Sequence, residues 1–359
     1  MAVFVTGFPG FLTSKIIEEL LLDRGEVIYA LVLQTELKKA EKKKQKLLHG
    51  QDADRLILLT GDITMPNLSL DLPTIQTLKK EVRYVWHLAA IYDLAVPQAV
   101  AQKINVVGTS NVNAFVRCLP NLERYMYFST AYVAGTREGI LKEDELIRPP
   151  AFKNFYEETK FEAEQLVDAL KGDVPVTIIR PGIVRGNSVT GETIKFDGPY
   201  FFLIMIDRLK KLPVLPYIGR STSTINVVPV DYIVNASIHL CYLPEAANET
   251  VHLTDPQPHP VEEVYRAMVM EITGERPKGR LPFGLAKAGL SMKAIRKMLG
   301  VEVETLDYLT WNATFDTSNA DRLLINSGIK CADFLSTLPS MINFYENNKD
   351  RKEFFIEIR

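Results

Sequence analysis

Cysteine is scarce: three in 359 residues, Cys118, Cys241 and Cys331, an odd count with no close spacing. That excludes a disulfide framework and a cysteine-built zinc site, and it points to reduced thiols in a cytoplasmic setting. Net charge is nearly absent too. Lys and Arg number 42 against 44 Asp and Glu, leaving −2, too little for a global field that would gather nucleic acid or an anionic membrane. Long apolar runs are missing. The stretch 200–206 is among the longest and is far too short to cross a bilayer, so no membrane span is expected. The apolar start, residues 1–5, lacks a basic leader and runs into a glycine turn, which reads as a buried strand rather than a targeting segment. The histidines His49, His87, His239, His252 and His259 have no ligand spacing, so no metal is expected. No internal repeat or low-complexity segment is visible.

What is present suits a folded α/β chain. Hydrophobic content of 47% with 24% charge supports a sizeable core, and the length suits one large unit with a smaller attached portion. Continuous apolar runs at 2–5, 27–33, 55–59, 82–88, 125–128 and 176–179 read as strands. Helical patterns at 10–23, 36–48, 72–80, 98–118 and 155–170 separate them, the first with Ile16, Ile17, Leu20 and Leu21 on one face. Continuous rather than alternating strands between helices predict a doubly wound parallel sheet of the Rossmann type, covered on both faces. Beyond Arg180-Pro181-Gly182 the regularity fades. A helix is expected at 199–211, strands at 227–230 and 248–253 returning to the main sheet, and a helix at 231–243 between them. Helices then follow at 261–273, 283–299, 318–327 and 334–347. The expected division is a dinucleotide-binding unit of residues 1–185 plus about 227–255, with a smaller, mostly helical substrate-binding portion and lid of about 186–226 plus 256–359.

The strand-to-helix turn Thr6-Gly7-Phe8-Pro9-Gly10-Phe11-Leu12 suits a pyrophosphate. Gly7 permits a tight turn, Gly10 lets the backbone approach, and the amides of Phe11 and Leu12 open a helix N-terminus. Thr13 stands where a third glycine often serves packing. Gly61-Asp62-Ile63 ends the third strand, where the carboxylate of Asp62 could accept from an adenine amino group. His87-Leu88-Ala89-Ala90 ends the fourth with small residues beside the same crevice, His87 reading as packed rather than catalytic.

Tyr156 and Lys160 are four residues apart and share a helix face. A phenol is a poor acid at neutral pH, and a neighbouring ammonium stabilises the phenolate and brings its pKa toward working range. The same ammonium can reach a nicotinamide ribose. Thr130, ahead of Ser129, is the hydroxyl expected to hold a substrate carbonyl oxygen. Together these residues predict proton transfer beside a hydride-carrying cofactor.

Seven segments now stand together: Thr6-Gly7-x-x-Gly10-Phe11-Leu12, Gly61-Asp62, His87-Leu88-Ala89-Ala90, Asn105-Val-Val-Gly108-Thr109, Phe128-Ser-Thr-Ala-Tyr-Val133, Tyr156-x-x-x-Lys160 and Arg180-Pro181-Gly182-Ile183-Val184. Over about its first two thirds the chain resembles the extended short-chain dehydrogenase/reductase family. It looks most like the branch holding fatty acyl-CoA reductases and thioester reductase domains. The resemblance implies Thr130, Tyr156 and Lys160 as the catalytic set. It also implies Gly7, Gly10, Phe11, Leu12, Asp62, Ile63, Ala89, Lys160, Pro181, Gly182 and Ile183 as cofactor contacts, Asn105 as a helix-stabilising residue, and a homodimer through the helices of Asn105 and Tyr156.

Leu33-Gln34 stands where that branch usually has an arginine for the extra phosphate of NADP, and no acidic residue replaces it to select NAD. NADP(H) is favoured through the resemblance, with Lys38 or Lys39 as substitutes and NAD(H) as the alternative. The lysine run 38–46 otherwise reads as a solvated helix face. Tyr92, Tyr132 and Phe196 are candidates for a hydrophobic substrate pocket, the last within an aromatic cluster with Tyr200, Phe201 and Phe202 that reads equally as packing between the two portions. The expected substrate is a hydrophobic acyl thioester, on CoA or a carrier protein, or its aldehyde. Ketone, alcohol and nucleotide-sugar substrates are alternatives within the family. A cofactor-sensing protein without catalysis is the alternative outside it, and such a protein need not keep Thr130, Tyr156 and Lys160.

Overall fold

A computed structural model describes residues 1–23, 25–48, 54–92 and 96–356; His49 lies outside the described residues. Seven parallel strands form the main sheet. Five are β1 (Ala2–Thr6), β2 (Val27–Val32), β3 (Leu56–Thr60), β4 (Val82–His87) and β5 (Arg124–Phe128), joined by Val176–Pro181 and Glu249–Leu253. Across the sheet the order is Glu249–Leu253, Val176–Pro181, β5, β4, β1, β2, β3. The winding reverses between β1 and β4, which opens a crevice at their carboxyl ends.

The residue pattern explains the layering. Successive side chains of β1 go to opposite faces: Val3 and Val5 join the cluster holding Ile16, Ile17 and Leu20 of helix α1 (Phe11–Asp23), together with Ile233 and Leu240 of helix Val230–Tyr242. Ala2 and Phe4 join Leu78, Val112, Phe115, Ala163 and Val167 on the other face. Every β1 side chain is therefore buried, and the strand reads as an unbroken apolar run. A third apolar cluster forms away from the sheet, from helices Tyr200–Leu209, Val261–Thr273 and Leu338–Asn348.

Three expectations change. Val227–Pro229 does not return to the main sheet but pairs with Ile183–Arg185, because Val176–Pro181 already has β5 on one side and Glu249–Leu253 on the other. The helix expected at 283–299 breaks into Phe283–Ser291 and Lys293–Leu299. Met292 is extended there, and Arg296 Nη1 donates to the carbonyls of Leu290 and Ser291, ending the first helix. The last helix starts at Leu338, with a proline in its first turn, rather than at 334. The helical run 98–116 also holds a π-helical stretch, Gln102–Val107, around Asn105.

Candidate active site

The glycine turn is fixed by close backbone approach. Gly7 has φ +96°, and a Cβ there would sit 2.9 Å from both the Ala89 nitrogen and the Leu88 carbonyl carbon. A Cβ on Gly10 would meet the Gly7 carbonyl oxygen at 2.7 Å, where the Gly10 amide already donates at 2.8 Å. Thr13 fills the third glycine position and is buried. The turn delivers the first amides of α1, at Phe11 and Leu12, to the wall of a cavity of about 740 Å³.

The carboxyl ends of the strands supply the next stretch of wall. Asp62 Oδ1 accepts from the Thr64 amide at 2.8 Å, which fixes the carboxylate at the cavity edge. Ile63 packs where a Gly108 side chain would be, 2.7 Å from that missing Cβ, which explains the glycine in Asn105-Val-Val-Gly108. The Ala89 amide donates to Thr6 Oγ1 at 3.2 Å, Thr6 Oγ1 meets His87 Nδ1 at 2.8 Å, and His87 Nε2 meets Thr109 Oγ1 at 3.0 Å. Burial, with the Lys160 charge beside it, holds His87 down at about 3, so this imidazole is a neutral strut. Pro181, Gly182 and Ile183 complete this side. A Gly182 Cβ would lie 2.6 Å from Asn226 Oδ1, which accepts from the Asp255 amide.

Tyr156 and Lys160 both line the cavity from helix Phe155–Asp168, whose N-terminus Asn154 caps by accepting from the Glu157 amide at 2.9 Å. The lysine's hydrogen bonds run to β5 rather than to the phenol. Its Nζ donates to the Tyr127 hydroxyl at 2.9 Å and to the Phe128 carbonyl at 2.6 Å, and burial lowers it to about 7. Burial pushes the Tyr156 phenol upward, and the offset comes from the Thr130 hydroxyl rather than from an ammonium. Ser129 is already committed: its hydroxyl donates to Glu164 Oε2, while Glu164 Oε1 accepts from Arg180 at 2.9 and 2.6 Å in a buried ion pair. Thr130 keeps its side chain on the cavity wall beside the Tyr156 phenol, and it accepts a 3.3 Å contact from the Tyr132 amide. Asn105 ties this helix to the loop after β4, accepting from the Ile91 amide at 2.9 Å and donating to Thr159 Oγ1 at 3.0 Å.

On the far wall, Tyr92 meets Tyr156 edge-to-face with centroids 5.0 Å apart. Tyr132 reaches the cavity while packing on Tyr308 and Trp311. Phe196 does not reach it. Its ring is fully buried against Tyr200, Tyr345 and Phe354, so it is core. Phe201 and Phe202, five and six residues on, do line the cavity. Sequence reasoning missed Tyr308, which donates to the buried Glu157 at 2.8 Å, and Thr305, whose buried hydroxyl on the same wall has no partner among the described residues. It also missed Glu36. That carboxylate lies along the cavity near Leu33 and pairs with Lys39 at 3.2 Å, so an acidic side chain does stand in the β2 loop. No group of three or more His, Cys, Asp or Glu suited to a metal occurs among the described residues.

A sheet crevice, a glycine turn opening a helix and a cavity running on to a buried lysine define an NAD(P)-dependent reductase of the extended short-chain type. The chain belongs to the NAD-binding family described as male sterility protein, which matches residues 5–237. It is 26% identical over 309 residues to a non-canonical nonribosomal peptide synthetase of Aspergillus campestris, covering 78% of this chain and 28% of the synthetase. It is 26% identical over 281 residues to fatty acyl-CoA reductase 1 of Homo sapiens, covering 66% of this chain and 53% of that protein. The chain thus spans about half or less of the length of these relatives. The solved terminal R domain from the myxalamid PKS-NRPS pathway superposes with a TM-score of 0.83 at 25% identity, covering 98% of this chain and 92% of that one.

Proposed function

We propose that this reductase delivers hydride to the carbonyl carbon of a hydrophobic acyl thioester, carried on CoA or a carrier protein, or of the corresponding aldehyde. The observation that carries the reading is the single cavity that joins the glycine turn to Thr130, Tyr156 and Lys160 and continues onto Tyr92, Tyr132, Phe201, Phe202 and Tyr308. The cavity residues fit a nicotinamide dinucleotide. The α1 amides, Gly7 and Gly10 would hold the pyrophosphate, Asp62 and Ile63 the adenine side, and Ala89, Lys160 and 181–183 the nicotinamide half. When bound, that group supplies the hydride.

The chain's own residues do the rest. Thr130 holds the carbonyl oxygen beside the phenol, and Tyr156 gives its proton to that oxygen as negative charge develops. Lys160 keeps positive charge close to the phenolate left behind. The apolar wall excludes water and accepts the acyl chain. The likeness to a fatty acyl-CoA reductase and to the terminal R domain of a PKS-NRPS pathway supports the thioester assignment. NADPH is the favoured carrier, with Lys39 turning from Glu36 to the extra phosphate. A homodimer through the helical run 98–116 and helix Phe155–Asp168 belongs to the same proposal, supported by exposed Val100, Val107 and Leu166 on those helices.

The test follows reduced-nicotinamide absorbance with long-chain acyl-CoA, the matching aldehyde, a steroid-like ketone and a nucleotide sugar, each with NADPH and NADH. Consumption with the first two is expected. Turnover confined to the ketone or the sugar would reject the thioester assignment while leaving the reductase class intact.

A further inference from the structure

The helical pair Phe283–Ser291 and Lys293–Leu299 has a charge pattern unlike the rest of this chain. From 276 to 301 the sequence carries Arg276, Lys278, Arg280, Lys287, Lys293, Arg296 and Lys297, and no Asp or Glu. The chain as a whole is at −2, so this basic character is local. Lys278, Arg280, Lys287 and Arg296 reach carboxylates on neighbouring segments. No carboxylate is within ion-pair distance of Lys293 or Lys297 among the described residues.

Large aliphatic side chains stand out among these cations. Leu285 is 63% exposed, Met292 58% and Met298 59%. A second exposed strip adjoins them. Arg208 Nη1 donates at 2.8 Å to the carbonyls of Lys297 and Met298, and the Lys278 amide donates to the Leu215 carbonyl at 3.0 Å. The loop between Arg208 and Leu215 is therefore tethered to the helical pair at both ends, and it exposes Lys210, Lys211, Leu212 and Val214.

The composition separates two kinds of occupant. Protein-binding surfaces are enriched in aromatic residues and Arg and depleted in Lys. Here the exposed apolar groups are Leu, Met and Val, with no exposed large aromatic; of the exposed arginines, Arg208 is held by the Lys297 and Met298 carbonyls and Arg280 by Glu262, leaving Arg276 beside Lys293 and Lys297. Aliphatic side chains interleaved with long lysines suit a bilayer interface, where the methylene stems sink and the ammonium groups meet lipid phosphates. We propose that this face docks the protein on an anionic membrane surface. Its position suits that role, because helix Phe283–Ser291 packs on the segment Val303–Leu309, which brings Thr305, Tyr308 and Leu309 to the cavity wall. An apolar substrate dissolved in lipid would thus be presented beside the pocket.

The experiment is co-sedimentation of the full chain with vesicles of phosphatidylcholine alone and of equimolar phosphatidylcholine and phosphatidylserine. Binding to the mixed vesicles, weakened by salt, is expected. K293Q/K297Q should bind about thirtyfold more weakly, at about fivefold per lysine near an anionic surface. L285S/M292S/M298S should lose binding at all salt concentrations, with the nicotinamide affinity of both variants unchanged as the check on folding. Failure to bind mixed vesicles, or binding indifferent to both variants, would overturn the proposal. Capture by a purified acidic acyl carrier protein without vesicle binding would equally overturn it and give the face to a protein.

Discussion

At the scale of single residues, Lys160 sets a conflict between stability and chemistry. It is 3% exposed, and burial brings it to about 7. Its folded pKa thus lies below the unfolded value of about 10.4, so between those values the unfolded chain holds a proton that the folded chain lacks. Its contribution to stability therefore rises with pH through that window and is lost as pH falls through it. Lys160→Met should flatten this part of the pH–stability curve and raise the melting temperature at pH 7, while turnover falls on the order of 10²–10⁴-fold. Thermal melts of both proteins across that range check it; a lower melting temperature for the variant at pH 7 would show that the hydrogen bonds to Tyr127 and Phe128 outweigh desolvation.

The same scale shows how far residues speak for themselves. The i, i+4 pair of Tyr156 and Lys160 is legible because helix periodicity alone puts both on one face. That Ser129 is committed to Glu164 is not legible, since only the fold brings residues 35 apart in sequence into a hydrogen bond. Glu36 was missed for a similar reason. A carboxylate one turn from Lys39 reads as an ordinary surface pair until the cavity is seen beside it.

Among elements, Glu143 caps a helix from a distance. Its carboxylate accepts from the His252 amide at 2.7 Å, the Asn319 amide at 2.5 Å and the Ala320 amide at 3.2 Å, binding helix Ser318–Leu324 to the sheet edge. Burial raises it to about 7 against those three donors. Glu143→Gln turns an amide NH₂ toward donors and should cost about 1–3 kcal/mol for each amide left without an acceptor, read by chemical denaturation. A loss under 0.5 kcal/mol, about the least expected of one hydrogen bond, would show that water replaces the carboxylate there.

Phe196 gives the companion prediction. Phe196→Ala should cost about 3–5 kcal/mol of stability with no change in acyl-chain preference, whereas Phe202→Ala should change that preference. A shifted chain-length profile for Phe196→Ala would return it to the pocket. The sequence could not separate these neighbours, because two of the rings that bury Phe196, those of Tyr345 and Phe354, come from the far end of the chain. Central strands such as β1 and β2 were legible because both faces are covered, so they are apolar almost throughout. Three-residue ladders such as Val227–Pro229 are too short to carry a period, and their pairing follows from which sheet edges remain open.

Over the whole molecule, two apolar clusters sandwich the sheet and a third lies beside it, with the cavity reaching from the glycine turn to Phe201 and Phe202 of the third. That layout explains why the glycine-turn end of the cavity was readable as motifs and the apolar end was not. Binding a pyrophosphate needs particular backbone geometry and hence particular glycines, while an apolar pocket accepts many side chains of similar volume. The proposed carbonyl reduction depends on Tyr156 as its proton donor. The direct test compares NADPH oxidation by native protein and Tyr156→Phe at saturating long-chain acyl-CoA, with NADPH affinity measured on both. Turnover by the native chain, a loss on the order of 10²–10⁴-fold in the variant and nearly equal NADPH affinity are expected. Equal turnover by the two proteins would contradict the proposal.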